Sequence, residues 1–305
     1  MHTRFLISVL MILSVLVTKA QNKEFKCNDE WVAKIEKLAP AKAEVEPAKQ
    51  RKILVFSLFT GFNHWVIPHT SEVMKVLGAK SGAFDVELST DVFMFEKNNL
   101  KKYDAVVLNS ACSRGPRRDL ILDALDDNTN YSEEEKKAKA AELEANLIEY
   151  VEKGNGLMVV HGAIVMQNKS MAFSEMVGGS FDYHPAQQEV SLELTEPDHP
   201  LLKAFKGKAF VHVDEPYLFN KAYTKKNFRP LLYMDSSKLK KTKKKIGEKI
   251  KYVSWIKKHG KGRVFYVSPS HNAQSFEDTR LLKFFLDGAQ YAIGDLKCDD
   301  SPMKL

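Results

Sequence analysis

Short, unbroken apolar runs alternate with longer amphipathic stretches through the first half of the chain. Ile53-Leu54-Val55-Phe56-Ser57-Leu58-Phe59 is the first such run, and Ala105-Val106-Val107-Leu108 and Leu157-Met158-Val159-Val160 repeat the pattern. Runs that are apolar at nearly every position and bounded by turn residues read as strands buried on both faces, as in a parallel sheet. Between them, Ile67-Pro68 opens a helical pattern through Val73, Met74 and Leu77, and Ser132 with Glu135 forms a capping box ahead of a long helix. The spacing predicts strands near 53–59, 84–90, 104–109 and 156–161, with helices near 67–80, 132–153 and 171–177. Strands near 187–195, 209–214, 250–256 and 262–268 follow, the last two joined by a hairpin at His259-Gly260-Lys261-Gly262. A closing helix runs from about Phe276 to Ile293 and is stopped by Gly294. This order predicts an α/β fold: a doubly wound, mainly parallel sheet with an antiparallel extension.

Three of these strands deliver a histidine at their exit. His161 ends the run that starts at Gly154-Asn155-Gly156, and Gly162-Ala163 behind it let the backbone turn tightly. His64 lies in the strand-to-helix loop Thr60-Gly61-Phe62-Asn63-His64. His271 follows Val264-Phe265-Tyr266-Val267-Ser268-Pro269-Ser270. Open α/β sheets bind ligands at the carboxyl ends of their strands, so all three are catalytic candidates, although a histidine there can also do no more than cap a strand. The acidic partner is Asp214-Glu215-Pro216-Tyr217, after the strand Phe210-Val211-His212-Val213. Glu215 is the preferred general acid or base, and Asp214 is read as its orienter or a helix cap. His184-Pro185, in a loop after Gly178-Gly179, is read either as closing over the site or as a surface group. His199 and His212 are read as structural. His64, His161, His184, His271 and Glu215 would suit a divalent transition ion, but no two have the spacing of a His-Glu-x-x-His motif, so only convergence in space could build a metal site.

Taken in order, several pieces resemble the ThuA-like, or trehalose-utilisation, family. They are Gly61-Phe62-Asn63-His64 with Ile67-Pro68, Tyr103-Asp104-Ala105-Val106-Val107, and Tyr150-Val151-Glu152-Lys153-Gly154-Asn155-Gly156 leading to His161. Met176-Val177-Gly178-Gly179-Ser180-Phe181 with His184-Pro185 continues the series. His199-Pro200, Asp214-Glu215-Pro216-Tyr217 and Gly260-Lys261-Gly262-Arg263-Val264-Phe265-Tyr266 with His271 complete it. The resemblance covers about residues 51–294 and implies a flavodoxin-like fold similar to class I glutamine amidotransferases. In those a cysteine holds the turn after a central strand. Here His161 holds it, which excludes the thiolate chemistry of an amidotransferase.

The resemblance also implies a role in the use of trehalose and related disaccharides, or of sugars oxidised to keto-glycosides. A consistent mechanism is acid/base catalysis in which a keto group acidifies a neighbouring C–H, with a histidine or Glu215 as base and another imidazole protonating the leaving oxygen. Adjacent Asp214-Glu215 does not supply the two opposed carboxylates of ordinary glycosidases. Trp65, Phe181, Tyr183 and Tyr217 offer rings on which a sugar could stack, with Trp65, Tyr217, His184 and Asp214 read as substrate-binding. The rivals to an enzyme are a non-catalytic sugar-binding or accessory protein, or a domain that controls a partner's access to substrate. One departure bears on activity: Gly162-Ala163-Ile164-Val165 follows His161 where many relatives carry an aspartate.

The ends of the chain add a compartment. A basic start at Arg4, an apolar run from Phe5 to Val17 and the small-residue exit Thr18-Lys19-Ala20 read as a signal peptide cleaved after Ala20, too short for a stable membrane span. Its loss removes Arg4 and Lys19 and lowers the formal charge from +7 by two. The expectation is a soluble secreted or periplasmic protein with a small-molecule carbohydrate as partner, no nucleic acid and no stable membrane insertion; oligomeric state is left open. Residues 1–20 are assigned to the signal peptide, 21–50 to a helix and linker, 51–296 to the α/β domain and 297–305 to a tail. In an oxidising compartment a Cys27–Cys298 disulfide is expected to tie the two ends together, with Cys112 a buried small hydrophobe. The lysine run from Lys238 to Lys251 has no interleaved aromatics and reads as a solvated loop.

Overall fold

Apolar runs without a polar face must be covered on both sides, and the computed structural model shows how this chain does so. It describes residues 23–303 except 244; the expected signal peptide lies outside them. After helix α1 (Asp29–Leu38), strand β1 (Lys52–Phe56) leads into α2 (Ile67–Ser81), and β2 (Asp85–Ser89) is followed by the single turn α3 (Lys97–Leu100). Strand β3 (Ala105–Asn109), α4 (Leu120–Leu125), α5 (Glu133–Glu152) and β4 (Gly156–Val160) complete the βα alternation, and α6 (Met171–Val177) follows. The capping box at Ser132 and Glu135 is present, with Glu133, Glu134 and Glu135 set against the positive end of the α5 dipole.

The second half adds β5 (Ser180–Tyr183), β6 (Gln188–Leu194), β7 (Phe210–Asp214), β8 (Leu218–Asn220), β9 (Arg229–Asp235), β10 (Ile250–His259), β11 (Gly262–Val267) and α7 (Thr279–Ile293). Nine strands form one sheet in the order β2-β1-β3-β4-β11-β10-β9-β6-β7, while β5 and β8 make a separate antiparallel pair. The first five in that order are parallel, and the rest are antiparallel to their neighbours. Strands β1, β3, β4 and β11 are almost wholly buried. Helices α2 and α7 pack on one another, α4, α5 and α6 form a second group, and both groups reach the sheet, so it is doubly wound. Gly288 of α7 has the Phe265 ring where a side chain would be, which lets the helix lie close on β11.

Strand β9 is absent from the sequence-based expectation, because Pro230 interrupts an otherwise apolar run and proline is found mainly at strand edges and ends. It lies between β10 and β6 and carries the antiparallel half. Its lysine-rich connection to β10 is exposed.

Alternation of direction determines where β7 ends. From β11 through β10, β9 and β6, each strand reverses, so β7 again points the way β4 and β11 do, and its carboxyl end comes out at their edge. In a flat sheet β7 would lie four strand spacings from β11, roughly 19 Å. It does not: Asp214 at the end of β7 accepts hydrogen bonds from the backbone N–H groups of Ser270 (3.0 Å) and His271 (3.3 Å), just beyond β11. The antiparallel half therefore curls over, and β10 is irregular at Tyr252, Ser254 and Trp255, where bulges increase twist and bend.

Candidate active site

The curl brings four segments together at one sheet edge. Strand β4 runs into His161, whose backbone is left-handed (φ 46°), a conformation uncommon outside glycine and held here by the turn that follows. The side chain is fully buried, and its Nδ1 donates to the Ser268 carbonyl at 2.8 Å. A carbonyl can only accept, so this bond places a proton on Nδ1 and aims Nε2 at the other groups. His64 descends from the β1–α2 loop onto Gly162, leaving no room there for any side chain: a Cβ would stand 2.4 Å from the His64 ring. His271 comes from the segment after β11 and Glu215 from the residue after β7.

Their polar atoms converge. His271 Nδ1 is 3.1 Å and His161 Nε2 3.4 Å from Glu215 Oε2, and the two imidazole nitrogens are 3.2 Å apart. With His64 included, one nitrogen or oxygen from each of the four residues lies within 4.8 Å of all the others. Asp214 holds the arrangement from behind: one carboxylate oxygen accepts from the Glu215 N–H at 2.7 Å and the other from Ser270 and His271. Tyr217 packs its ring against His161, centroids 4.4 Å apart, and puts its hydroxyl 3.5 Å from His64 Nε2. His184 stacks on Tyr217 and brings its Nε2 to 3.8 Å from Glu215, closing the outer side.

Burial and charge act differently on these groups. Burial, together with the neighbouring His161 and His271, holds His64 well below the ordinary histidine range. Burial also works against a charged His271, but the hydrogen bond and charge of Glu215 outweigh it and leave that imidazole raised. Glu215 is likewise opposed by burial, yet the hydrogen bonds from His161 and His271 keep its carboxyl far below the usual range. The site thus holds an ionised carboxylate among imidazoles, the outermost being the partly exposed His184. Such a set can take a proton from one point of a bound molecule and give one to another, or it can hold a cation.

His64, His161, Glu215 and His271 are brought together as the strand exits imply, with Asp214, Tyr217 and His184 around them. Trp65 is not: its ring packs against Phe25 (5.4 Å) and His69 (5.0 Å), because successive side chains at the entry to α2 point in opposite directions. The expected Cys27–Cys298 bridge is also corrected, since Cys27, Cys112 and Cys298 are all free. Cys27 sits beside Glu72 and Lys75 of α2, near α1, which packs on the segment leading into α7. Cys298 lies past the far end of α7, near Tyr291 and Asp300, and the fifteen residues of α7 span about 22 Å. Cys112 is buried, and burial pushes its thiol up. His199 caps the turn at Leu201, and His212 lies against Ser275 and Asp214. One residue escaped the sequence reading: Phe62, 59% exposed, whose ring stands 4.8 Å from that of His64 and stacks toward His271. A large apolar residue between Gly61 and Asn63, in a loop, was the available signal.

The family model ThuA, described as trehalose utilisation, matches residues 52–292. Among solved structures, a ThuA-like protein from Bacteroides uniformis is similar to this chain at a TM-score of 0.59 with 18% identity, over 82% of this chain and 94% of that one. A ThuA-like protein from Parabacteroides merdae follows at 0.54 and 20%, over 84% and 93%. A cytoplasmic protein from Salmonella typhimurium reaches 0.53 at 13%, over 79% and 99%. At these identities the likeness establishes the fold. No curated protein matches the chain.

Proposed function

Because the chain belongs to the ThuA family of trehalose utilisation, we propose that its cluster of imidazoles and carboxylate processes disaccharides or keto-glycosides by acid/base chemistry, outside the cytoplasm. The observation that carries this reading is the placement of His161 Nε2 at 3.4 Å from Glu215 Oε2, at the carboxyl edge of the sheet, with the rings of Phe62, His184 and Tyr217 packed around the cluster. Since Nδ1 already donates to Ser268, a proton on Nε2 makes His161 an imidazolium paired with Glu215, and that proton is the one available for transfer. On a keto-glycoside, Glu215 or a neighbouring imidazole removes the hydrogen acidified by the keto group. Its electron pair forms a carbon–carbon double bond as the glycosidic C–O bond breaks, and an imidazolium protonates the departing oxygen. The exposed ring of Phe62, beside His64 and His271, supplies a face on which a sugar ring stacks.

The exposed Phe62 ring favours a second reading, a sugar-binding protein without turnover. The purified mature protein is incubated with trehalose and with keto-disaccharides, and products are followed by NMR. New sugar resonances that disappear in His161→Ala support the enzyme. Saturation transfer to an unchanged sugar supports the binder, and neither result for any sugar overturns both.

A further inference from the structure

The contacts among His161, His271 and Glu215 require more protons than neutral side chains hold. Nδ1 of His161 is committed as a donor to Ser268, so in the neutral ring Nε2 presents only a lone pair. That lone pair faces a carboxylate oxygen at 3.4 Å and another imidazole nitrogen at 3.2 Å. His271 Nδ1 has at most one proton to give and faces both. Nδ1 of His64, on a ring only 2% exposed, has no hydrogen-bond partner. Electron-rich atoms directed at a common point in a buried site are what a cation needs.

We propose that His64, His161, His271 and Glu215 bind one divalent transition-metal ion of the zinc type. Three imidazoles with one carboxylate form the nitrogen-rich, borderline donor set that such ions prefer over calcium or magnesium, which take mainly oxygen. The spacing agrees. Four ligands at ~2.0–2.1 Å around a tetrahedral ion stand roughly 3.3–3.4 Å from one another, and the three edges among His161, His271 and Glu215 measure 3.1, 3.2 and 3.4 Å. The fourth ligand, from His64, lies farther out, within 4.8 Å of the other three, and would draw in on binding. Outer partners of the kind metal ligands use are already in place: the Ser268 carbonyl fixes the His161 tautomer, and the Tyr217 hydroxyl meets His64. Glu215 and His271 are further fixed through their backbone by Asp214. The ligands come from four separate loops, so no short sequence motif announces them.

A bound ion would take the His161 Nε2 lone pair and the Glu215 carboxylate, so it and the proton transfer proposed above are alternative uses of the same atoms; the test of the metal site uses no substrate. Untagged protein, stripped of metal and desalted, is titrated with cobalt(II) and followed by visible absorption, then challenged with zinc(II). One equivalent of cobalt giving d–d bands, displaced by zinc, is expected, with affinity falling at least ~100-fold in both His161→Ala and Glu215→Gln, since even outer-shell changes lower affinity 10–100-fold. Glu215→Gln keeps the size of the side chain and serves should His161→Ala fail to fold; His259→Ala, at the distant β10–β11 hairpin, should leave the titration unchanged. Absence of bands in the wild type, or equal affinity in wild type and Glu215→Gln, overturns the site. Cobalt binding without sugar turnover leaves the metal site standing and removes the enzymatic reading; turnover without metal binding does the reverse.

Discussion

Gly162→Ala adds one methyl group to the chain and places it against a single side chain. The new Cβ would lie 2.4 Å from Cε1, 2.9 Å from Nε2 and 3.1 Å from Nδ1 of His64, and no other atom is nearer than these. Carbon atoms rest ~3.5–4.0 Å apart, so the imidazole must withdraw by about 1 Å. It has little space to do so, because the ring is buried between Phe62, His161 and His271. Overpacking of this kind costs about 1–3 kcal/mol. Gly162 itself has no left-handed backbone, so the whole effect should be a collision with His64 and not backbone strain. A double-mutant cycle isolates it: urea unfolding of wild type, Gly162→Ala, His64→Ala and the double variant. Once His64 is truncated the methyl has room, so its destabilisation should fall to near zero in that background, giving a coupling of about 1–3 kcal/mol. In the sugar and cobalt assays, Gly162→Ala alone should behave as a displacement of His64, and a 1 Å misplacement of a reacting group can lower a rate ~100-fold. An undiminished cost of Gly162→Ala in the His64→Ala background would refute this account of the turn.

Two further outcomes can be measured. Asp287, on the buried face of α7, has its carboxyl raised to about 6 by burial and by Glu44, against the contact with Lys283. Because the folded value exceeds the unfolded one, this group's contribution is favourable below about pH 4 and is lost as pH rises through about 6. Asp287→Asn should therefore become more stable relative to wild type between pH 4 and 7.5, by about 2 kcal/mol; an identical difference at both pH values would contradict it. For export, mass spectrometry of the secreted protein should find Gln21 at the amino terminus, and a chain still starting at Met1 would exclude cleavage.

What local pattern can carry was legible in the sequence, and what depends on distant packing was not. Strands β1, β3, β4 and β11 are buried on both faces, and that requirement writes itself as uninterrupted apolar runs, so their exits and the histidines there could be found by inspection. Pro230 hides β9 because proline argues against a strand, whereas its place near the start of β9 is one where proline is tolerated. The adjacency of Glu215 to His161 has no local signature, because it arises from the curl of four antiparallel strands and the irregular β10. Trp65 follows His64 in sequence and suggests a shared pocket, but one step along the chain turned it to the other side of the loop. The Cys27–Cys298 expectation failed for a related reason: chain ends near the same domain were still separated by the length of α7.

The curl of the sheet gives the cluster a mechanical role. His64 and His161 belong to the parallel half, laid down by β1 and β4, while Glu215 arrives only after the antiparallel strands have rolled back over it. The four side chains therefore act as a clasp between the two halves of one domain, and it can close only when both have formed. Anything that grips all four groups in the native state must, by mass action, add its binding free energy to the resistance of the whole chain to unfolding. Hydrogen exchange in β7 and β6, at the free edge of the rolled half, is where that added resistance should be felt first, far in sequence from His64 at the other jaw.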